Sequence, residues 1–284
     1  MIGMQVINYK WKYEAGSRCS DDESQRKFAS WRPQFMILDG EDYKFQNLLN
    51  ENISFRIGEK RCTGHFSGGK HVPCPQHRFV VSGNMCAECS KTDDWFGCVR
   101  CSGSCINSKQ RNGCSKNQYH IYLASFDSIL KIGMSFDRRF HNRLIEQGAD
   151  FGTKIMSVQD GMIARQIEQK ISKFLNLPDR ITGDIKQDRI FGNPNKASLK
   201  ISRAIEMLKK SDISISSRPE IYDFRKHYML SNIVKKPSKL AIKESAIVDG
   251  TIVAAKGNVL VLEKNRRYYS FNAHSLVGRE LSSI

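Results

Sequence analysis

The sequence predicts an α+β protein: a β-β-α-β-α core over residues 119–195, flanked by a cysteine-rich zinc module and by small β-rich segments at both ends. Three observations carry this expectation. Eight of the nine cysteines fall between residues 62 and 114. From Tyr119 to Leu175, strand-like alternation and helix-like spacing follow one another in regular order. Short apolar runs broken by turn residues fill residues 1–60 and 246–284.

The cysteine block spans residues 61–118. Cys86/Cys89 and Cys98/Cys101 are CxxC pairs, and Cys101/Cys105 is CxxxC. Loops of that size let two thiolates of one turn face a single tetrahedral Zn²⁺ at about 2.3 Å. Cys62, Cys74, Cys86, Cys89, Cys98, Cys101, Cys105 and Cys114 together make two closed sites of four thiolates. That is the arithmetic of structural zinc, since a catalytic site keeps a position open. Spacing leaves a sequential division (the first four, then the rest) and an interleaved one both open. His65, His71 and His77 lie nearby as substitutes, although the cysteines already complete the count. Disulfides would need an oxidising compartment, and MIGMQVINYKWKYEAGS holds no apolar core of signal-peptide length. An iron–sulfur cluster also takes thiolates, but the block lacks the tight cysteine run ending in Cys-Pro. Cys19 stands outside the block and reads as a free thiol. The module is rich in Gly, Ser, Asn and Lys and buries little, so metal would supply most of its folding free energy.

The charge balance points to a partner class. Forty-five basic residues against 29 acidic ones give a net +16 and a pI near 9.5. Charge of that size favours polyanions, nucleic acid first, although a merely basic solvated surface is the plainer reading. No stretch approaches the roughly 18 apolar residues that a membrane span needs, so a cytoplasmic location is expected.

In the N-terminal segment, Met4–Tyr13 and Asn52–Ile57 read as strands, with the polar Ser17–Lys27 stretch as a solvated loop. In the core, Tyr119–Ser125 and Ile129–Met134 read as a hairpin turning at Asp127–Ser128. Its alternation sets His120 and Tyr122 on one face and Ile121 and Leu123 on the other. Ser135 or Asp137 is expected to cap the next helix, whose buried stripe is Phe136, Phe140 and Leu144. Gly148 ends it. Thr153–Val158 reads as a third strand. Gly161–Leu175 reads as an amphipathic helix with Ile163, Ile167, Ile171 and Phe174 inward. Glu168 falls at the edge of that stripe, where a carboxylate needs either a partner or a function. Residues 176–195 read as a loop from which Arg180 and Arg189 reach a nucleic-acid backbone.

Residues 196–245 form a basic, mainly helical segment. Within 196–240, eleven Lys and Arg stand against four Asp and Glu, a net of +7. Tyr222, Phe224 and Tyr228 beside Arg225 and Lys226 offer stacking and phosphate contacts, or equally an ordinary core. Lys235–Lys239 reads as a linker. The last segment holds strands at Ala246–Ala254, Gly257–Leu262 and Tyr268–Phe271, which would complete a barrel or sheet with the N-terminal strands.

The order β-β-α-β-α with one polar residue per element brings residues 119–193 to a resemblance. They look like the GIY-YIG endonuclease superfamily. His120-Ile121-Tyr122 sits where GIY falls, Lys131-Ile132-Gly133 where YIG falls, Arg143 near the arginine position and Glu168 at the metal-binding glutamate. Together with HIYLA, KIGMS, RLIEQGA and ARQIE, the cysteine block also resembles an uncharacterised prokaryotic Cys-rich family along nearly the whole chain. The superfamily resemblance implies phosphodiester hydrolysis with one divalent cation, Mg²⁺ or Mn²⁺, on Glu168. Tyr122 would help deprotonate water and Arg143 would stabilise charge on the phosphorane.

Three departures bear on that chemistry. His120 replaces the first glycine, Lys131 replaces the second tyrosine, and a longer spacing from Gly133 lets Arg139 compete with Arg143. Asn193 is the candidate for the distal asparagine. His120 would serve as a base at neutral pH, and Lys131 would instead bind phosphate. The expectation is therefore a nucleic-acid-binding zinc protein acting as a structure-specific endonuclease. Two alternatives stay open: a non-catalytic RNA- or DNA-binding module with a degenerate site, and a zinc-held scaffold. Tyr122, Arg143 and Glu168 would then be packing or ion-pair residues.

Overall fold

Apolar side chains at spaced positions draw the first strand into a buried sheet. In β1 (Met4–Glu14), Val6, Tyr9 and Trp11 are buried, and a bulge between Val6 and Asn8 adjusts the register. The computed structural model describes residues 4–14, 30–99, 101–178, 180–216 and 218–284. Cys19 and the Ser17–Lys27 stretch lie outside them. After β1 come β2 (Ser30–Asp39), β3 (Asp42–Asn47) and β4 (Asn52–Lys60). The cysteine module contributes a hairpin, β5 (His65–Ser67) and β6 (Lys70–Val72), and the short helices α1 (Ala87–Thr92), α2 (Phe96–Val99) and α3 (Ser108–Lys116). The central region runs β7 (Gln118–Phe126), β8 (Ile129–Phe136), α4 (Phe140–Gln147), β9 (Phe151–Gln159) and α5 (Gly161–Phe174). There follow α6 (Gly183–Asp188), α7 (Pro194–Lys209), β10 (Ile221–Asp223) and β11 (Ser238–Lys239). The chain closes with β12 (Ile247–Lys256), β13 (Val259–Lys264), β14 (Arg267–Asn272) and β15 (Arg279–Ser283).

The strands form a nine-stranded sheet in the order β11-β14-β13-β12-β4-β15-β1-β2-β3 and a four-stranded sheet β10-β9-β7-β8. All neighbours are antiparallel except β11 with β14. The two ends of the chain thus share one sheet, with β15 lying between β1 and β4. Period-2 alternation in β7 decides the layering. Tyr122, Ala124 and Phe126 join a core with the large sheet and α4, whereas Ile121 and Leu123 join a second core with α5 and α7. The small sheet is the shared middle layer.

Several expectations change. Neither Ser135 nor Asp137 caps α4: a 3₁₀ turn, Asp137–Arg139, comes first, and Asp137 pairs with His120 instead. Phe136 belongs to β8. On α5 the buried line is Gly161, Ala164, Glu168 and Ile171, so of the expected stripe Ile171 is buried and Ile167 partly buried. Ile163 and Phe174 are accordingly exposed, at 44% and 46%. The loop expected over 176–195 contains α6, capped by Thr182, whose hydroxyl accepts from the Ile185 N–H. Gly148 does end α4, in the left-handed conformation. Lys239, expected in a linker, pairs with Ser270 through β11.

The central region meets the large sheet at a tight seam. Gly257, in the β12–β13 turn at φ +59, leaves no room for a side chain: a Cβ there would lie 2.5 Å from the Gly148 nitrogen. Beside it, buried Lys256 donates from Nζ to Asp150 Oδ1 at 2.6 Å and to the Ile190 carbonyl at 3.3 Å. Removing one member of such a pair strands a buried charge, which costs about 3–5 kcal/mol. Asp150→Ala is therefore expected to lose stability on that scale in urea unfolding. Adding Lys256→Met should recover most of the loss.

Candidate functional site

Cys62 and Cys74 flank the β5–β6 hairpin, and Cys86 and Cys89 open α1. Folding brings the four buried sulfurs within 4.8 Å of one another, close to the ~3.8 Å spacing of a tetrahedral zinc–thiolate site. The Gly64 and Cys86 N–H groups donate to Cys62 Sγ at 3.4 and 3.1 Å, which offsets thiolate charge. Within the cluster burial opposes ionisation of Cys86, but the Cys89 N–H and the neighbouring thiols outweigh it and lower that thiol. Burial pushes Cys62 and Cys89 up, so one thiol ionises at the expense of its neighbours. This cluster has the chemistry and geometry to hold a metal ion such as zinc, and it corresponds to the sequential division of the cysteines. Cys98, Cys101, Cys105 and Cys114 line a single separate cavity but are not drawn so tightly together.

A second feature lies where α4 faces the large sheet. An open cleft of about 710 Å³ is lined by Lys10 from β1, Arg139 and Arg143 around α4, Arg180, and Lys186 from α6. Glu146 is the carboxylate on that lining; Arg139 holds it at 3.0 Å and Arg143 approaches at 4.0 Å. Behind the wall, Tyr122 is fully buried, with its hydroxyl packed over Gly133 and donating to Gln147 Oε1 at 3.3 Å. A Cβ at Gly133 would come within 2.5 Å of the Tyr122 hydroxyl oxygen. Glu168 is buried from α5 and forms an ion pair with Arg165 one helical turn earlier.

Electrostatics tie these groups into one cluster. Burial pushes the Glu168 carboxyl up, while Arg165, Lys131 and Arg143 pull it back. Burial pushes Lys131 down, helped by Arg143 and opposed by Glu168. Burial likewise raises Tyr122, against the nearby charge of Arg143, so its phenol keeps its proton. The fold thus gathers Tyr122, Lys131, Arg143 and Glu168, with Arg139 and Arg180 at the mouth.

Other expected site residues lie elsewhere. His120 shares the Tyr122 face, since both rings pack edge-on against Phe140. Its nitrogens, however, engage Ser157, Lys154 and Asp137, away from Glu168. Arg189 pairs with Asp127 at 2.5 Å, and the Asn193 N–H donates to the same carboxylate, so both brace the β7–β8 hairpin tip. Asn193 also caps α7. Arg225 makes hydrogen bonds to Asp223 and stacks on Phe151, and with Lys226 it lines a different cleft beside Asp150. Phe224 and Tyr228 are core residues. Lys10, Arg165 and Lys186 were not anticipated. Arg165 had a signal in its i, i−3 spacing from Glu168, whereas Lys10 and Lys186 reach the cleft only through tertiary contacts.

Residues 51–281 match the family described as "Protein of unknown function (DUF2797)". No curated protein and no solved structure matches the chain. Among the described residues, no helix is long and apolar enough to cross a membrane.

Lys186 offers a measurable handle on the cleft. Its ammonium donates to the Gln147 carbonyl at 2.8 Å and to Asn258 Oδ1 at 3.1 Å. Burial nevertheless brings it from an ordinary 10.5 to about 7, aided by the charges of Lys131, Arg143 and Lys256. Between those values the unfolded chain holds the proton that the folded chain has released, so stability rises with pH across the window. Lys186→Met is expected to flatten that rise and to stabilise the protein at neutral pH. Urea midpoints at pH 7 and pH 9 check both effects.

Proposed function

The chain belongs to the DUF2797 family, and since membership fixes no activity, we propose one from the site itself. The protein is a nucleic-acid-binding zinc protein whose basic cleft presents a sugar–phosphate backbone to a phosphodiester-hydrolysing site. One observation carries this reading. Five cationic side chains, Arg143 among them, converge on a single cleft, and Arg143 and Lys131 link it to the buried Tyr122 and Glu168. A cationic cleft with low-dielectric walls concentrates polyanions. The β-β-α-β-α order, with β7 between β8 and β9, supports the resemblance to the GIY-YIG endonuclease superfamily.

Each group then has a role. Arg143, half-exposed at the wall, contacts the scissile phosphate, because a guanidinium matches its oxygens. Glu168 would supply the carboxylate that holds one Mg²⁺ or Mn²⁺. When bound, that ion neutralises charge on the phosphate and lowers the pKa of its water. Lys131, beside Arg143 and Glu168, contacts a phosphate oxygen, and the Tyr122 hydroxyl, which keeps its proton, orients its neighbours. Arg139, Arg180, Lys186 and Lys10 hold the backbone on either side. Two zinc ions are structural, one on the Cys62 set and one on the Cys98 set.

A specific observation favours a second reading. Arg165 already occupies the Glu168 carboxylate, and Lys131 and Arg143 crowd it further, so little negative charge is left for a divalent ion. In that case the protein binds nucleic acid without cutting it.

The test incubates zinc-loaded protein, with Mg²⁺ or Mn²⁺, on branched DNA, single-stranded DNA and structured RNA. Cleavage that falls about 100-fold or more in Glu168→Ala and in Arg143→Ala supports the enzyme. Binding that weakens with salt, without cleavage, supports the module. For single strands the expected slope of log K on log salt is about −0.7 per contacted phosphate, and Arg180→Ala should flatten it by about one contact. No binding at low salt would sink both readings.

A further inference from the structure

The second cysteine set sits against the helix that carries Glu168. Cys98, Cys101, Cys105 and Cys114 line one cavity of about 140 Å³ whose far wall includes Tyr119 and Arg165. The segment around them has almost no core of its own: α2 and α3 contain no buried residue. Helices that short do not hold in water without an external constraint. Yet the segment grips the start of α5 at several points. Arg111 donates to both oxygens of Asp160, at 2.7 and 2.6 Å. Asp160 caps α5 from a left-handed backbone (φ +76), a conformation that a non-glycine residue keeps only when its surroundings hold it there. Next to it, a Cβ on Gly161 would lie 2.6 Å from Cys114 Sγ. Further along α5, Gln166 donates to the Gly103 carbonyl at 2.9 Å. Arg165, on the cavity wall, is the ion-pair partner of Glu168.

We propose that Cys98, Cys101, Cys105 and Cys114 bind one zinc ion whose role is to clamp the N-terminal half of α5, setting Arg165 and Glu168 beside Tyr122 and Lys131. The clamp rests on the two-zinc reading given above, but its test needs no nucleic acid. Zinc at this site orders α2, α3 and the intervening loops, because four thiolates on one ion supply the constraint that apolar burial does not. Arg111 and Gly103 then transmit that order to Asp160 and Gln166. The Cys62 set, by contrast, lies at the β5–β6 hairpin and α1, where α5 contributes none of its residues. Two metal sites in one module would therefore have separate tasks.

The experiment compares the full-length protein with Cys101→Ser/Cys105→Ser, reading zinc by plasma mass spectrometry and backbone order by hydrogen exchange. The expected result is about two zinc ions per chain in the parent and about one in the variant. Amides of residues 164–168 should exchange about tenfold faster or more in the variant, while those of β12 and β13 stay unchanged. One zinc in both proteins, or iron in place of zinc, overturns the site. Loss of one zinc with α5 exchange unchanged overturns the clamp and leaves the two-zinc reading standing. If the double variant does not fold, Cys105→Ser at the exposed ligand serves instead. Faster zinc release to a chelator together with faster α5 exchange would then support the clamp, and failure of either would overturn it.

Discussion

Gly148 and Gly257 touch through their backbones, and the arrangement of the candidate site follows from that contact. Gly148 ends α4, and Gly257 turns the chain between β12 and β13, so their approach fixes the helix carrying Arg143 against the large sheet. A side chain on either would push the two layers apart. The Gly257 carbonyl also accepts from the Tyr9 hydroxyl at 2.6 Å and from Trp11 Nε1 at 2.8 Å, which ties β1 into the same point. Three elements far apart in sequence therefore meet within a few residues. On the solvent side of that junction they leave a gap, and the gap is the basic cleft. The buried Lys256–Asp150 pair lies beside it, and desolvation offsets much of the pair's attraction.

The parts of the fold that were legible in the sequence are those governed by local periodicity. Alternation in Tyr119–Ser125 separates Tyr122 from Ile121 and Leu123 as the two cores require, and Gly148 marks a helix end by its conformational freedom. Local pattern failed where tertiary contacts chose among equivalent faces. On α5, isoleucines at 163 and 167 suggest one stripe, but Gly161 must lie against Cys114 and Tyr119, and this turns the helix so that Ala164 and Glu168 are buried instead. Short elements such as α6 and β15 carry too few residues to show a period. Cysteine spacing supported a count of four-thiolate sites but could not divide them, because the pairing of Cys62 and Cys74 with Cys86 and Cys89 depends on how the β5–β6 hairpin folds back.

The candidate site was legible only for those residues that share the central region. Tyr122, Lys131, Arg143 and Glu168 lie on neighbouring strands and helices, so their order along the chain already implied proximity. Arg189, expected to reach a backbone from a loop, and Asn193, the candidate distal asparagine, each meet the Asp127 carboxylate at the hairpin tip instead. Lys10 and Lys186 come from segments with no motif at all.

The charge distribution of the site makes its own argument for an anionic ligand. Glu168 faces Arg165, Lys131 and Arg143, and Lys186 lies close enough to Lys131 and Arg143 for their charges to weaken its ammonium. A fold that held these cations for stability alone would supply more carboxylates, as the hairpin tip does for Arg189 and the β12 seam does for Lys256. Around α4 the carboxylates fall short of the cations, and Lys186 is brought to about 7 chiefly by burial, with Lys131, Arg143 and Lys256 adding to the effect. An entering phosphate would reverse that balance: its charge favours the protonated amine, so binding draws a proton onto Lys186. In the proposed reading, the same excess of positive charge on the cleft supplies the attraction for a nucleic-acid backbone.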